Sequence, residues 1–349
     1  MNFVRNCWYV AAWSHELEAG RPLARIVAGE AVVIYRKLGG APVAFEDSCP
    51  HRRAPLSLGR IEGDDLRCMY HGMRFGPDGR CNELPGAEKI PGKARARVIP
   101  VIERDNWIWV WTGDPARADE SLLPQGFGSD GDGWRMKFGQ MDYAANYELV
   151  NDNLCDGSHI AFLHENTLGK NMGRRFSDEL PVVTRLPRGV RVDRNFIGQR
   201  VKAPWVRSGD GLVDVLTTYD FLVPGIFLFR TGFYEPGTAA RIEEGRLTAP
   251  PYFERVDQQA VTPMTERTAR YYFAAAHKDQ PGLPEMLGHI FGLMSRAFEE
   301  DRVMIEAQQL NWDRHRDRRP ALATPHDEAP MIMRSTIERM LGEETGIPA

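Results

Sequence analysis

Cysteine is scarce in this sequence: five thiols in 349 residues, without the dense spacing of a disulfide-stapled scaffold. That argues against a small secreted framework and predicts a reducing compartment, the cytoplasm. Long apolar runs are missing too, and nothing approaches the roughly 18 residues a membrane span needs. The start, MNFVRNCWYVAAWSHELEAG, lacks an uncharged core and a small-residue cleavage site, so neither a signal peptide nor a membrane partner is expected. Charge of one sign is not in excess: the formal net charge is −4, which gives no reason to expect a nucleic-acid partner. No internal repeat and no low-complexity tract is present. No G-x-G-x-x-G follows a strand pattern to bind a dinucleotide, and no second four-cysteine cluster motif occurs.

What is present describes a globular chain, 42% hydrophobic and 26% charged, long enough for two domains with cores of their own. The first part is dense in short strand patterns separated by Gly, Pro and Asp: 25–27, 31–35, 42–46 and 106–111. Trp107, Trp109 and Trp111 alternate and predict one strand face packed on that domain's core, with Trp8 and Tyr9 also packing. Gly113-Asp114-Pro115 marks a boundary, giving domains 1–115 and 116–349. Beyond it, helical patterns at about 145–166, 284–312 and 330–342 flank strand patterns at 212–222 and 226–233. The class is α+β, an all-β domain followed by a mixed one.

Residues 49–72, CPHRRAPLSLGRIEGDDLRCMYHG, hold two mixed pairs, Cys49-x-His51 and Cys68-x2-His71. Coincidence would not put two such pairs in Gly-flanked loops. Structural zinc is open to a Cys2His2 set, but zinc sites pair Cys with Cys and His with His at wider spacing. One Cys and one His from each of two loops suit a Rieske-type [2Fe-2S] cluster, with the thiolates on one iron and the imidazoles on the other. Cys7, Cys81 and Cys155 have no partner pattern.

A lone electron carrier of this kind needs only about the first hundred residues. The stretch 145–169 adds Asp156-x2-His159-x4-His164, with Asn153 a turn earlier. Asp156 and His159 are i and i+3, on one helix face. His164 would lie roughly 140° from His159 on an ideal helix, so a shared metal requires the helix to end or distort between them. Two histidines resting against core or solvent remain open on spacing alone. In 284–312, Leu287, Phe291, Met294, Phe298 and Ile305 form an apolar stripe whose missing member is Asp301. An acid there is costly to bury unless it is paired or metal-bound, and a salt bridge stays open. Glu299 and Glu300 fall off the stripe and are expected in solvent. Two His and one carboxylate are the facial set of mononuclear non-haem Fe(II) oxygenases.

The chain as a whole resembles the Rieske non-haem iron oxygenase α-subunits, in the branch of vanillate and dicamba O-demethylases and toluenesulfonate methyl-monooxygenase. The resemblance rests on Asn6–Ala12, the two Cys-His loops, Asn146-Tyr147, Asp152-Asn153-Leu154 and 298–302. It implies an N-terminal all-β Rieske domain and a helix-grip catalytic domain with a central antiparallel sheet. Cys49, His51, Cys68 and His71 would bind the [2Fe-2S] cluster; His159, His164 and Asp301 would bind Fe2+. Asp156 would bridge that iron to a cluster histidine of a neighbouring subunit in a homotrimer, and Asn153 would lie beside it. Ala54 and Tyr70 stand where the respiratory branch has its extra cysteines, and Met73 where that branch has a hydroxyl donor, so a lower potential is expected. The implied reaction is O2-dependent oxygen insertion into a C–H bond, O-demethylation of a methoxy aromatic acid first and methyl or ring hydroxylation of a larger aromatic or polycyclic substrate second. Electrons would come from NAD(P)H through a separate reductase or ferredoxin. A ferredoxin with an accessory domain and a zinc-binding structural protein are the rivals outside the enzyme class. Gly288, Gly292 and Ser295 hint at a roomy pocket, and Arg314–Arg319 reads as a solvated basic run that could dock an acidic ferredoxin.

Overall fold

Short runs of β-branched and aromatic residues punctuated by Gly and Asp build the first part of the chain as three small antiparallel sheets. The computed structural model describes residues 3–126, 133–171, 174–201, 206, 208–241, 249–278, 286–315 and 322–346. Strands β1 (Trp8–Trp13), β10 (Val101–Arg104) and β11 (Trp107–Trp111) form the first sheet, with β11 central. All five residues of β11 are buried, so both of its faces are covered rather than the one the alternation predicted. A central strand flanked on both edges and packed on both sides reads as a continuous apolar run. Trp13 stacks on Trp107 at 5.6 Å, and Trp8 meets Trp111 edge-on at 5.4 Å.

The second sheet orders β2 (Leu23–Val27), β3 (Glu30–Arg36), β4 (Pro42–Glu46) and β9 (Val98–Ile99). The third orders β5 (Arg60–Glu62), β6 (Asp65–Arg67), β7 (Arg74–Phe75) and β8 (Cys81–Glu83). Two loops matter for function: β4 to β5 carries Cys49 and His51, and β6 to β7 carries Cys68 and His71. By contacts, this compact unit comprises residues 1–125 together with 262–269 and 341–348.

The second unit comprises 126–261 and 270–340. Its centre is a seven-stranded sheet, in the order β12 (Trp134–Tyr143), β18 (Thr268–Lys278), β17 (Phe253–Thr265), β16 (Ile226–Tyr234), β15 (Leu212–Leu222), β14 (Gly189–Arg200) and β13 (Val182–Leu186). The pairings from β13 through β17 are all antiparallel. Helices are few: α1 (Tyr147–Cys155), the single turn α2 (Arg175–Asp178), α3 (Met286–His315) and α4 (Glu328–Thr345). The long helix α3 buries Leu287, Met294, Ala297, Phe298, Asp301, Ile305 and Gln309. It grips the sheet through ring contacts of Phe291 and Phe298 with Phe273 and of Phe298 with Tyr271. The architecture is thus a β-rich first part and a catalytic domain of one antiparallel sheet held by a long helix. Among the described residues no helix is long and apolar enough to cross a membrane.

The candidate iron–sulfur and mononuclear iron centres

The two cysteine loops of the first unit have the same backbone design. Cys49 N–H donates to the Ala54 carbonyl at 2.8 Å and Arg53 N–H returns to the Cys49 carbonyl at 2.9 Å. Cys68 N–H donates to the Met73 carbonyl at 2.8 Å and Gly72 N–H returns to the Cys68 carbonyl at 3.0 Å. Each loop closes with a left-handed residue four places after its cysteine, Arg53 at φ 59° and Gly72 at φ 79°. The thiols are free and buried in a core that includes Phe45, Leu66 and Phe75, whereas His51 and His71 are exposed. Their rings stand 4.6 Å apart. Burial, with the Cys68 thiol adding to it, pushes the Cys49 thiol up to about 11. Burial and its neighbours His51 and Arg52 pull His71 below the ordinary imidazole range. Two adjacent buried thiols beneath two surface imidazoles are the donor set of a Rieske cluster, and their chemistry fits it.

In the second unit the helix break required by the His159–His164 spacing is present. Helix α1 starts at the N-cap Asn146, whose side chain accepts from Glu148 N–H, and stops at Cys155. Asp156 is extended (φ −109°, ψ 99°), so Asp156 and His159 do not share an α-helix face as the spacing suggested. A 3-10 turn over 157–161 follows, and Asp156 caps it by accepting from Ser158 N–H at 2.8 Å and Ser158 Oγ at 3.0 Å. The buried Tyr219 hydroxyl of β15 donates to the Cys155 carbonyl and anchors the break. Gly169 N–H closes onto the His164 carbonyl, and a Cβ there would stand 2.3 Å from the Ile160 carbonyl oxygen, so the turn requires glycine.

These turns bring His159, His164 and Asp301 together, with one donor atom from each inside a 4.8 Å set. Asp301 Oδ1 lies 3.4 Å from His159 Nε2 and 3.3 Å from His164 Nε2. The far ring nitrogens are held: His159 Nδ1 by the Asp156 carbonyl at 2.5 Å and His164 Nδ1 by Glu300 Oε2 at 2.8 Å. That turns both Nε2 atoms toward Asp301, where they would meet a metal. Burial pushes His159 below the ordinary imidazole range, and Asp301 only partly offsets it. Burial also acts on His164, but hydrogen bonding to Asp301 and Glu300 outweighs it and carries that group upward. Asp301 is 2% exposed, and no Lys or Arg pairs with it among the described residues. A buried carboxylate met by two imidazoles and one amide, with no Lys or Arg paired to it among the described residues, calls for a cation, so the donor set fits Fe2+. Asn153 donates its amide N–H to Asp301 Oδ1 at 2.9 Å, and the same nitrogen lies 3.4 Å from His159 Nε2.

Several expectations need correcting. Glu300 is not simply solvated: besides holding His164 it accepts from Thr167 Oγ1 at 2.7 Å. Glu299 is the exposed one, paired with Arg302. Gly288, Gly292 and Ser295 do not line the cavity at the metal set; Met294, Phe298 and Asp301 do so from α3. That cavity measures about 230 Å³, and its lining includes Phe176, Phe227, Phe229, Phe233 and Phe298. Arg314 and His315, which open the basic run, are exposed at the end of α3, and its remaining residues lie outside the described residues. Arg194 in β14, also in this wall, escaped the sequence reading. Its signal was the alternation Val190, Val192, Phe196, which puts position 194 on the inward face.

Residues 7–98 match the Rieske [2Fe-2S] domain, and residues 143–343 match the vanillate O-demethylase oxygenase C-terminal domain. A toluene-4-sulfonate monooxygenase system iron-sulfur subunit of Comamonas testosteroni is 37% identical, covering 99% of both chains. The dicamba O-demethylase oxygenase component of Stenotrophomonas maltophilia is 31% identical over 97% of this chain and 98% of its own. Dicamba monooxygenase, solved with non-haem iron and dicamba, superposes with a TM-score of 0.79 at 27% identity, covering 99% of each chain. A Rieske domain joined to a catalytic domain with a candidate mononuclear iron site defines the class, a Rieske-type oxygenase. The chain belongs to the vanillate O-demethylase family of these enzymes, and it is an oxygenase component of a multicomponent monooxygenase.

Proposed function

We propose that this oxygenase inserts one atom of O2 into a methyl C–H bond of a single-ring aromatic acid, in the first place the methyl of a methoxy group. The observation that carries this is the aromatic-walled cavity of about 230 Å³ onto which His159, His164 and Asp301 converge. A cavity of roughly 150 Å³ accepts benzene, and pockets for drug-sized ligands begin near 300 Å³. A substituted single ring suits this volume and a polycyclic substrate does not.

The balance is ArOCH3 + O2 + 2 e− + 2 H+ giving ArOCH2OH and water, after which the hemiacetal releases formaldehyde and the phenol. Electrons come from NAD(P)H through a separate reductase or ferredoxin; Cys49, His51, Cys68 and His71 would hold the cluster that accepts them, and His159, His164 and Asp301 would hold the iron, which would supply O2 reduction. The chain's own residues do the rest. Glu300 and the Asp156 carbonyl fix the two imidazoles, Asn153 aims Asp301, and the phenylalanine wall excludes water. Asp156 is the bridge to a cluster histidine of the adjacent subunit in a homotrimer, with cluster binding assigned to residues 1–115 and chemistry to 116–349.

Hydroxylation of an aryl methyl is the second reading, favoured by 37% identity to the toluene-4-sulfonate relative against 31% for the dicamba one. Purified protein with a reductase, NADH and O2 separates the two on methoxy- and methyl-substituted aromatic acids. Formaldehyde in step with NADH consumption is expected for the first, and a hydroxymethyl product without formaldehyde for the second. Neither product from any aromatic acid overturns both.

A further inference from the structure

One row of the cavity wall is polar on all four of the strands it crosses. The strand registers set Arg194 of β14 opposite Thr217 of β15, Thr217 opposite Thr231 of β16, and Thr231 opposite Arg255 of β17. Four polar side chains therefore stand side by side across four strands, about 4.8 Å from one to the next, and all four line the cavity that contains the metal set. The row on one side is Phe196, Val215, Phe233 and Phe253, and on the other Val192, Tyr219, Phe229 and Asp257, the acid that pairs with Arg255.

The charges in this row are unevenly answered. Arg255 gives Nη2 to Asp257 Oδ2 at 2.7 Å, so that pair is neutral, while its Nε is buried without a partner. Arg194 is 7% exposed and spends Nη1 on the Phe176 and Glu179 carbonyls at 3.1 and 2.9 Å. Its Nε too is buried without a partner, and no carboxylate pairs with it among the described residues. Tyr219, Asp156 and Glu179 act on it electrostatically, without a side-chain hydrogen bond among the described residues, and its guanidinium lies over the Phe176 ring at 5.4 Å. The Thr217 and Thr231 hydroxyls take no hydrogen bond from the described residues. A buried guanidinium without a counter-ion is costly in an apolar wall unless a ligand supplies the anion. Guanidinium N–H groups and hydroxyls in a row are donors matched to a planar or tetrahedral oxyanion.

We propose that Arg194, Thr217, Thr231 and Arg255 form the acid-binding end of the cavity, seating the carboxylate or sulfonate of an aryl substrate so that its methyl-bearing end faces His159, His164 and Asp301. This rests on the aromatic-acid reading above and assigns the residues that select for charge. Arg194 is the discriminating member, because Arg255 is already neutralised by Asp257.

Anaerobic titration calorimetry on the full protein, without reductant, tests the row through binding alone. The ligands are a methylbenzenesulfonate, a methoxybenzoate and the uncharged methoxybenzamide. Wild type is expected to bind at least one anion more tightly than the amide. Arg194→Gln keeps a donor for the two carbonyls but loses the charge; it should weaken the anion roughly 10- to 100-fold and leave the amide within about 2-fold. Whichever anion loses more is the one the row is shaped for. Should Arg194→Gln not fold, the near-isosteric double variant Thr217→Val/Thr231→Val reads the same row, with a several-fold loss for the anion only. An unchanged anion-to-amide ratio in a folded variant, or no anion binding by wild type, overturns the proposal. Arg194-dependent anion binding without any oxygenated product would keep the row and sink the reaction assigned above. Turnover of aryl acids with unchanged binding in Arg194→Gln would do the reverse.

Discussion

Glu300 and Asp156 show how much of the iron site is done by residues that need not touch the metal. Glu300 holds His164 Nδ1 at 2.8 Å and is itself held by Thr167. Carboxylates behind metal-binding histidines fix the tautomer and ring orientation, and their loss typically lowers affinity about 10- to 100-fold. Glu300→Ala is therefore expected to weaken Fe2+ by that factor in a chelator competition while the cluster absorbance stays unchanged; full iron affinity would show that Glu300 is dispensable. Asp156→Asn tests electron delivery. It keeps the backbone carbonyl that holds His159, so both metals should remain bound, while turnover falls by about 100-fold or more. Normal substrate-coupled activity with full metal content would remove Asp156 from the electron path. Glu300 was hidden in the sequence because a 3-4 stripe reports only the face a helix buries against its own core. His164 reaches Glu300 from a separate turn, and no pattern within 284–312 contains that information.

At the scale of elements, the loop between β6 and β7 depends on Gly72. Its φ of 79° lies where side chains are disfavoured by about 1–2 kcal/mol, and an added Cβ would meet Pro85 Cγ at 3.0 Å. Gly72→Ala should destabilise the Cys68–Met73 turn by at least that much, read as bleaching of the cluster's visible absorbance at a lower temperature than in wild type. Bleaching at the wild-type temperature would mean that the turn tolerates the side chain. Strand patterns were legible to within a residue or two, 42–46 and 212–222 to the residue, because local alternation and turn residues carry them. The helical pattern at 145–166 was not: apolar periodicity runs on past Cys155, whereas the chain turns at Asp156, where capping of Ser158 and the Tyr219 tether win over helix propensity.

At the scale of the whole molecule, the first unit carries charge pairs that make its stability depend on acidity. Arg67 together with Arg60 pulls Glu62 down to about 2; Arg67 lowers Glu83, and Arg36 lowers Glu103. A carboxyl held below its ordinary value stabilises the fold above that value, and the contribution is lost as pH falls through the folded one. Urea midpoints followed by the fluorescence of the buried tryptophans of β1 and β11 should be level at neutral pH and fall between about pH 4.5 and 2. A midpoint as high at pH 3 as at pH 7 would show that these pairs do not act on the fold. Screening of such exposed groups makes the effect shrink in high salt.

The amino-acid order alone determined the ingredients. Two mixed Cys-His pairs specified a cluster-binding chemistry, an acid on an apolar helix stripe flagged Asp301, and strand and turn signals gave two domains of different character. These are readable because ligand spacing and hydrophobic periodicity are local properties of a chain. Only the tertiary structure decided that His159, His164 and Asp301 meet with both Nε2 atoms turned inward, and that Glu300 stands behind one of them. It alone lined up Arg194, Thr217, Thr231 and Arg255 in one row. Successive members of the row are 14 to 24 residues apart in sequence. They become adjacent through strand register, which is set by how four strands pair and not by any one of them.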